Sequence, residues 1–463
     1  MKTVAQTVSA CVVTYGLSVC LMVGAVVGGG ESPESGFAAD VTSAPMVYSL
    51  EDCIRVGVLQ SGVARNAQRD QAIANAQMGQ AYGLALPHLS LSAAYTRLDE
   101  VQEVDFGGES QPLGNLDNYD VTATVEQLLY SGGQVGAARR AAKAARAYAD
   151  AARVATEAQL MHDIETRFFG ILFAREVEVV QSASVDQLQA FADQMEHRAE
   201  GGVSSDFDLL RARVSLANEV PKLIAARNAF ELKAAAFVSI LNIPADGVFT
   251  GTLACADVDL SHEEMLRLAL ANRAVLRGSE LRVQLGREDI ASTRSEGRPD
   301  LRARFNYNGA NSYQFVSFEE DWQWHWNAGL VLSWNIWDGA LTRHAVKQKE
   351  SEYEKLITDN DELFKAVKLE VRQAYLALER ARQSMAASRG NVALAERALA
   401  IAQTRHESGM TTYLEFTDAN LALSTARLTW FQALHDHAVS VSTVRYVCGF
   451  NVSPGGSVAG KDE

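Results

Sequence analysis

The chain has 463 residues, of which 48% are hydrophobic, and a formal net charge of −15 at pH 7. The acidic balance argues against nucleic acid as a partner. No apolar run after residue 30 is long enough to cross a membrane as a helix, since a spanning helix needs about 20 such residues.

The first 30 residues have the order of an export signal. Lys2 supplies the positive end, and an apolar stretch continues to Val27. Small residues suited to cleavage follow at more than one place, so the cleavage site stays open. A retained membrane anchor is the alternative, and a lipoprotein signal ending at Cys11 is another. At the other end of the chain, we expect residues 451–463 to form a flexible tail.

Residues 46–241 form the first of two predicted repeats, in which a helix precedes two amphipathic strands. Along each strand apolar residues alternate with more polar ones, which is the period of a strand with one apolar face. The apolar positions are Leu89, Leu91, Ala93 and Tyr95 in one strand and Val121, Ala123 and Val125 in the other.

Two very long helices are predicted, from Gly133 to Gly201 and from Gly339 to Gly409, because these runs contain no proline and little glycine. At about 1.5 Å per residue, each helix could reach about 100 Å. A stripe of near-heptad spacing in the second run favours a coiled coil over an ordinary helical bundle. Its members are Tyr353, Leu356, Leu363, Val367, Ala374, Leu378, Ala381 and Met385.

Each long helix is predicted to reverse in a tight turn that starts the next helix. The turn residues are Gly202, Val203, Ser204 and Ser205 in the first half and Gly409, Met410, Thr411 and Thr412 in the second. The glycines suit a left-handed helix end. Ser205 and Asp208 have the spacing of a capping box. The same spacing joins Thr412 to Glu415. Pro221 lies in the first returning helix and predicts a kink.

Residues 322–336 alternate strictly, and their apolar face has tryptophans near both ends and smaller aliphatic residues between them. A bilayer explains this distribution, since Trp prefers the interface and aliphatic side chains prefer the hydrocarbon core. A strand of a soluble sandwich with an aromatic core face is the alternative. The residues assigned to the membrane interface are Trp322, Trp324, Trp326 and Trp334.

The two halves of the sequence repeat the same elements. Residues 54–58 align with 266–270 at a shift of 212, and residues 198–205 align with 405–412 at a shift of 207. Each repeat thus supplies two strands. Because a barrel needs about eight strands and lipid cannot satisfy open sheet edges, transmembrane strands here require several chains to complete one barrel. The inter-repeat segment and the second repeat are placed at residues 242–260 and 261–450.

Nothing in the sequence has the pattern of a catalytic or cofactor site, and we expect neither. The cysteines Cys53, Cys255 and Cys448 lack metal-ligand spacing and are expected to be small buried residues, although one pair could be oxidised. His435 and His437 point apart on a helix, and we expect both at the surface. The basic stretch 136–146 is expected to be a solvated or headgroup-facing helix start.

Several motifs recur in the same order in both halves, namely Leu50 to Arg55 with the partner segment 260–270, Leu86 to Leu91, Ser131 to Gly133, Asp338 with Gly339, and both helical tips. In the order of these motifs, the sequence resembles the TolC family of outer-membrane efflux and secretion channels over residues 46–450. The resemblance implies an α+β membrane protein in which three chains form a trimer with a twelve-stranded transmembrane β-barrel. Long antiparallel coiled-coil helices would continue the barrel as a periplasmic α-barrel, and residues 242–260 and those beyond 448 would contribute to a belt around it.

The resemblance also implies a function, that of a homotrimeric exit duct in a tripartite efflux or type I secretion system. The tips would meet a periplasmic adaptor and an inner-membrane pump, and the barrel would contact outer-membrane lipid. Family members carry pore-facing acids that match Glu415 and Asp418. In the first tip Asp208 matches Glu415, and Arg211 stands where an acid would match Asp418. The alternative function is a coiled-coil scaffold of the cell envelope without a pore.

Overall fold

The computed structural model describes residues 47–101, 103–106, 109–112, 115–201, 205–244, 247–311, 322–408, 410 and 413–450. The predicted export signal and the C-terminal tail lie outside these residues. Within the described part of the chain, no helix combines the length and the apolar character needed to cross a bilayer.

The described residues contain eight helices, and those of the first half recur in the second half in the same order and at nearly the same lengths. Helices of 11, 22 and 67 residues follow one another in both halves, and each series ends with a returning helix of 36 or 35 residues. In chain order they are α1 (Leu50–Gln60), α2 (Gly62–Gly83), α3 (Gln134–Glu200), α4 (Asp206–Leu241), α5 (His262–Asn272), α6 (Ala274–Ser295), α7 (Leu341–Glu407) and α8 (Tyr413–Val447).

The long helices α3 and α7 confirm the predicted length, since neither contains a proline that would remove a backbone donor. Each follows a residue in the left-handed conformation, Gly133 with φ 101° and Ala340 with φ 69°. The stripe on α7 is buried at its centre, where Val367 and Leu378 are each 2% exposed. The returning helix α4 continues through Pro221.

The described strands form one four-stranded antiparallel sheet and two small two-stranded sheets. The large sheet has the strand order β2-β5-β7-β8, the parallel pair is β1 with β6, and β3 pairs with β4. In chain order the strands are β1 (Val47–Tyr48), β2 (His88–Arg97), β3 (Glu103–Phe106), β4 (Glu109–Pro112), β5 (Asp117–Ser131), β6 (Val248–Phe249), β7 (Asp300–Ala310) and β8 (Gln323–Ser333).

The four strands of the large sheet confirm the four predicted from alternation, but the last strand is shorter than predicted. β8 begins after Trp322 and ends at Ser333, so Trp334 lies beyond the strand. The indole Nε1 of Trp334 donates a hydrogen bond to the carbonyl of Gly297 at 3.3 Å. This bond ties Trp334 to the turn before β7, because the chain is already leaving the sheet toward α7.

Two clusters of buried side chains lie where the inter-repeat segment meets the helices. In the first, Phe237 lies 5.2 Å from Phe249 and 6.3 Å from Phe168 between ring centroids. The second cluster includes Met265 of α5 and Val444 of α8, which are both fully buried. The inter-repeat segment therefore belongs to the packed part of the molecule.

The three cysteines of the described chain, Cys53, Cys255 and Cys448, are free thiols. Burial raises the pKa of Cys53 to about 12 and that of Cys448 to about 11. Both side chains therefore stay protonated and pack as small apolar groups, as predicted, while Cys255 is only half-buried. No group of three or more described His, Cys, Asp or Glu side chains is arranged to hold a metal ion.

The prediction that His435 and His437 lie at the surface is wrong for His437, whose side chain is 4% exposed. Its Nε2 lies 3.3 Å from Oδ1 of Asp257. Arg382 donates to both oxygens of the same carboxylate, at 2.9 and 3.0 Å. The inter-repeat segment covers this face of α8, and the periodicity of α8 alone does not reveal that cover. His435 is partly exposed, at 20%.

Three of the four basic side chains in the stretch 136–146 are exposed, as predicted for a solvated helix start, namely Arg140, Lys143 and Arg146. Arg140 forms an ion pair of 2.8 Å with Glu288 of α6. The guanidinium of Arg139 lies over the ring of Tyr82 of α2, 4.9 Å from its centroid. These contacts join the start of α3 to the shorter helices that precede the strands.

Candidate functional site

One face of the four-stranded sheet is apolar from edge to edge. Residues that are paired across strands point to the same face, so the register identifies the members of each row. One row contains Leu89, Val125, Phe305 and Ala328. The next row contains Leu91, Ala123, Tyr307 and Trp326. A lipid-facing surface of a transmembrane barrel has this composition.

The end of the apolar face that is distant from the long helices is aromatic. Trp324 stacks with Trp322 at 5.9 Å and with Tyr307 at 5.2 Å between ring centroids. Gly309 makes this possible, because a Cβ there would lie 2.6 Å from the Trp324 ring. Trp326 is the most exposed of the three tryptophans at this end, at 66%. Three of the four predicted interface residues therefore gather at one level of the sheet.

The fourth predicted interface residue, Trp334, lies at the opposite end of the sheet. It is 56% exposed and sits between β8 and the start of α7. Trp337, in the same connection between β8 and α7, is 84% exposed. The two tryptophan levels are thus separated by the length of β8, and their role at a membrane interface stays a prediction.

The other face of the sheet is polar. Toward the helices, Glu126 accepts hydrogen bonds from Arg302 at 2.9 Å and from Arg304 at 2.8 Å. Farther along, the side-chain amide of Asn306 donates to the side-chain oxygen of Asn327 at 2.8 Å. Charged and amide groups are costly in hydrocarbon, so this face suits water.

The sheet has two open edges. β2 and β8 are its outer strands, and each pairs with one neighbour only within the described chain. Their free edges leave backbone donors and acceptors that a bilayer cannot satisfy. The sheet therefore needs further strands along both edges before it can span a membrane.

The last turns of α3 and α7 and the first turns of α4 and α8 pack together in a common apolar cluster, which we call the tip core. Its buried members are Phe191, Ala192, Met195, Ala212, Leu399, Phe416 and Leu423. Sequence periodicity did not single out His406, whose ring lies 5.0 Å from that of Phe191. The tip core fixes the positions from which α4 and α8 begin.

Most of the predicted docking residues lie outside the described residues, namely Gly202, Val203, Ser204, Gly409, Thr411 and Thr412. Ser205 precedes α4, and its hydroxyl accepts a hydrogen bond from the N–H of Phe207 at 3.2 Å. The predicted capping box with Asp208 is wrong, because the hydroxyl turns to the second residue of the helix instead of the third. Met410 is exposed, and its N–H donates to the carbonyl of Arg405 at 2.9 Å.

The predicted gate residues lie near the starts of α4 and α8. Glu415 and Asp418 are both exposed and three residues apart, so they share one side of α8. Asp418 also borders a groove of about 590 Å³ between α7 and α8. On α4, Asp208 is half-buried and Arg211 is exposed. A gating role for these four residues stays a prediction.

A family model described as outer membrane efflux protein matches residues 64–242 and 265–449. Comparison with curated proteins returns no match. Among solved structures, the CmeC outer membrane channel of Campylobacter jejuni is similar, with 15% identity and a TM-score of 0.76 over 91% of this chain and 94% of that one. The outer membrane protein VceC of Vibrio cholerae has 16% identity and a TM-score of 0.70 over 86% and 96%.

A membrane protein from Pseudomonas aeruginosa is also similar, with 17% identity and a TM-score of 0.75 over 86% of this chain and 92% of that one. These TM-scores show a shared fold, and the family match covers most of the sequence. The chain therefore belongs to the outer membrane efflux protein family and is an outer-membrane efflux channel with a periplasmic extension.

Proposed function

We propose that three copies of this chain form one closed twelve-stranded β-barrel, which serves as the exit duct of a tripartite efflux or type I secretion system. The observation that carries this proposal is the sheet, which is apolar on one face, polar on the other and unpaired at both edges. Three such sheets, joined β2 to β8, leave no open edge. The polar faces would then line the lumen.

The dimensions of the sheet support this placement. β8 has 11 residues, which corresponds to about 36 Å at about 3.3 Å per residue. Tilted by about 40°, the strand spans about 28 Å, close to the apolar band of a transmembrane barrel. Trp322, Trp324 and Trp326 would mark the outer interface, and Trp334 the periplasmic one.

The helices support assembly through apolar side chains that no part of the described chain covers. On α4, Phe207, Leu210 and Val214 are all more than half exposed. On α7, Leu369 and Leu394 are exposed, and each has an exposed apolar residue seven positions further on. Spacings of three, four and seven are those of a coiled-coil seam. Neighbouring copies would bury these stripes.

The tips would form the periplasmic entrance, which an adaptor and an inner-membrane pump open. Residues 202–205 and 409–412 would dock the adaptor. Three copies each of Glu415 and Asp418 would form two acidic rings about 4 to 5 Å apart along the axis, which favour cations. Asp208 would add negative charge, and Arg211 on the neighbouring tip would supply a counter-charge.

Two measurements on the purified protein test the proposal. Native mass spectrometry in mild detergent should give three protomers, and a stable folded monomer would contradict the shared barrel. Planar bilayers should then show discrete current steps. Trimers that never conduct would favour the coiled-coil scaffold instead.

A further inference from the structure

The tip core contains one titratable side chain in an unusual position. The ring of Phe191 lies 4.5 Å from that of Phe416 and 5.0 Å from that of His406 between centroids. Both ring nitrogens of His406 are buried and have no hydrogen-bond partner among the described residues. A neutral imidazole normally has one donor and one acceptor to satisfy, so this placement already carries a cost.

Among the described residues, the wall of the cavity beside His406 carries no charge that would stabilise an imidazolium. Its volume is about 150 Å³. The other described residues in its wall are Gln187, Ala190, Phe191, Gln194, Leu399, Gln403 and Phe416, none of which titrates.

Charged groups do occur on all four helices that pack at the tip, but the described wall of this cavity contains none of them. On α3 and α4 they include Asp193 and an ion pair of 2.7 Å between Glu196 and Arg213. On α7 and α8 they include Arg405, Glu415, Asp418 and an ion pair of 2.9 Å between Glu396 and Arg427. These groups lie around the tip core and leave the imidazole among aromatic and amide side chains.

We propose that His406 is a proton-operated release for the tips, such that protonation favours a loosened, hydrated tip core over the packed one. A buried imidazolium would present two donors and a full charge beside a cavity whose described wall contains amides but no anion, and this is costly unless water reaches it. Protonation of the ring therefore shifts the population toward the hydrated state. Imidazole changes charge between about pH 5 and 8, within the range that a periplasm can meet.

A histidine at this position occurs in only one of the two sequence repeats. The position that matches His406 in the first half, at a shift of 207, is Ala199. The matching position therefore has no titratable side chain. One proton per chain would act on the α7 side of the tip, next to the helix that carries Glu415 and Asp418.

This inference rests on the proposed function for its consequence, the opening of an entrance, but the loosening itself can be measured separately. The protein, in mild detergent, is compared at about pH 7.5 and about pH 5.5, which bracket the titration of imidazole. Hydrogen–deuterium exchange, corrected for the intrinsic effect of pH, is followed in peptides covering residues 187–196 and 399–406. Currents in planar bilayers are recorded at the same two values.

The test variants are His406→Gln, which keeps hydrogen-bonding capacity without a titrating group, and His406→Phe, which fills the site. His197→Gln is the matched control, because His197 is at the same tip and its side chain is 82% exposed. Circular dichroism and mass measurement establish that each variant is folded and assembled.

The wild type and the His197→Gln variant should exchange faster in these peptides at the lower pH, by up to about tenfold per pH unit if one proton is fully coupled. Both His406 variants should lose this dependence, and open probability should follow the same pattern. Equal pH dependence in the wild type and the His406→Gln variant would overturn the inference. Proton-dependent exchange without any current at either pH would leave the role of His406 intact and count against the channel proposal.

Discussion

At the residue scale, the contact that most clearly holds the inter-repeat segment to the helices is the carboxylate of Asp257. It accepts both bonds from Arg382 and lies against the buried ring of His437. We expect Asp257→Asn to lower stability by about 1 kcal/mol, a modest value because the carboxylate is half exposed. Thermal unfolding followed by circular dichroism measures the effect. Asp259→Asn, two residues away and exposed, should leave the transition unchanged.

The same carboxylate predicts a pH dependence. Burial opposes its ionisation, but the hydrogen bonds and the charge of Arg382, the backbone N–H of Val258 and the contact with His437 together outweigh burial and lower the pKa of Asp257 below its ordinary value. A carboxylate with a lowered folded pKa stabilises the fold above its unfolded pKa, about 3.9, and this contribution is lost as the pH falls through the folded value. The difference in unfolding temperature between the wild type and Asp257→Asn should therefore be constant near neutrality and shrink below about pH 4. A difference that grows on acidification would contradict the assignment.

Gly309 gives a second prediction at this scale. A Cβ there would lie 2.6 Å from the ring of Trp324, whereas one at Gly329 would meet nothing within 4 Å. Gly309→Ala should displace the Trp324 ring from its stack on Tyr307 and destabilise the sheet by about 1 to 3 kcal/mol, the usual range for overpacking. Near-ultraviolet circular dichroism reports the loss of aromatic stacking. An equal change in the spectrum of the Gly329→Ala variant would contradict this prediction.

At the scale of helices and strands, sequence patterns predicted those features that depend only on residues near one another in the chain. The runs without proline gave the lengths of α3 and α7, and strict alternation gave the four strands of the sheet. The pairing of β1 with β6 was not predictable, because two-residue strands have no period. The burial of His437 was predicted wrongly, since it depends on which segment packs against the helix. The hydroxyl of Ser205 was predicted wrongly because its spacing from Asp208 does not decide which backbone N–H it accepts from.

The features of the candidate site were likewise predictable only where they depend on local sequence. Alternation placed Trp324 and Trp326 on one face, and the register confirms that they share it with Tyr307. Their stacking, however, depends on Gly309 in another strand, and no pattern within β8 could indicate that. The His406 cavity escaped prediction for a related reason, because it is formed by side chains from three helices.

The start of α8 carries the prediction for selectivity. If Glu415 and Asp418 face the entrance in three copies, replacing both with Ala should reduce cation selectivity and block by trivalent cations, because the acidic rings attract cations. The reversal potential in asymmetric salt measures this. Asp361→Asn, on the exposed middle of α7, is the control and should have no effect. Unchanged selectivity in the double variant, with a small loss of thermal stability, would show that Glu415 only stabilises its helix start.

At the scale of the whole molecule, the two faces of the sheet and the uncovered stripes of the helices have one common explanation. The apolar face needs lipid, the polar face needs water, and both edges need further strands. A closed barrel of three chains meets these needs together. The inter-repeat segment is anchored to the helices between the sheet and the tips, because its Phe249 packs in one cluster with Phe168 and Phe237.

The central claim is that the polar face of the sheet lines a conducting lumen. Asn327 and Ala328 are consecutive in β8 and lie on opposite faces, Asn327 opposite Asn306 and Ala328 opposite Phe305. Each is replaced by Cys in a Cys255→Ser background, since Cys53 and Cys448 are buried. A charged, membrane-impermeant thiol reagent is then added during single-channel recording in planar bilayers.

The Asn327→Cys channel should lose current in discrete steps, one for each modified chain, because the reagent reaches a side chain in the lumen. The Ala328→Cys channel should be unaffected, since its cysteine faces lipid. Block at position 328, or steady current through both variants under the reagent, would contradict the account.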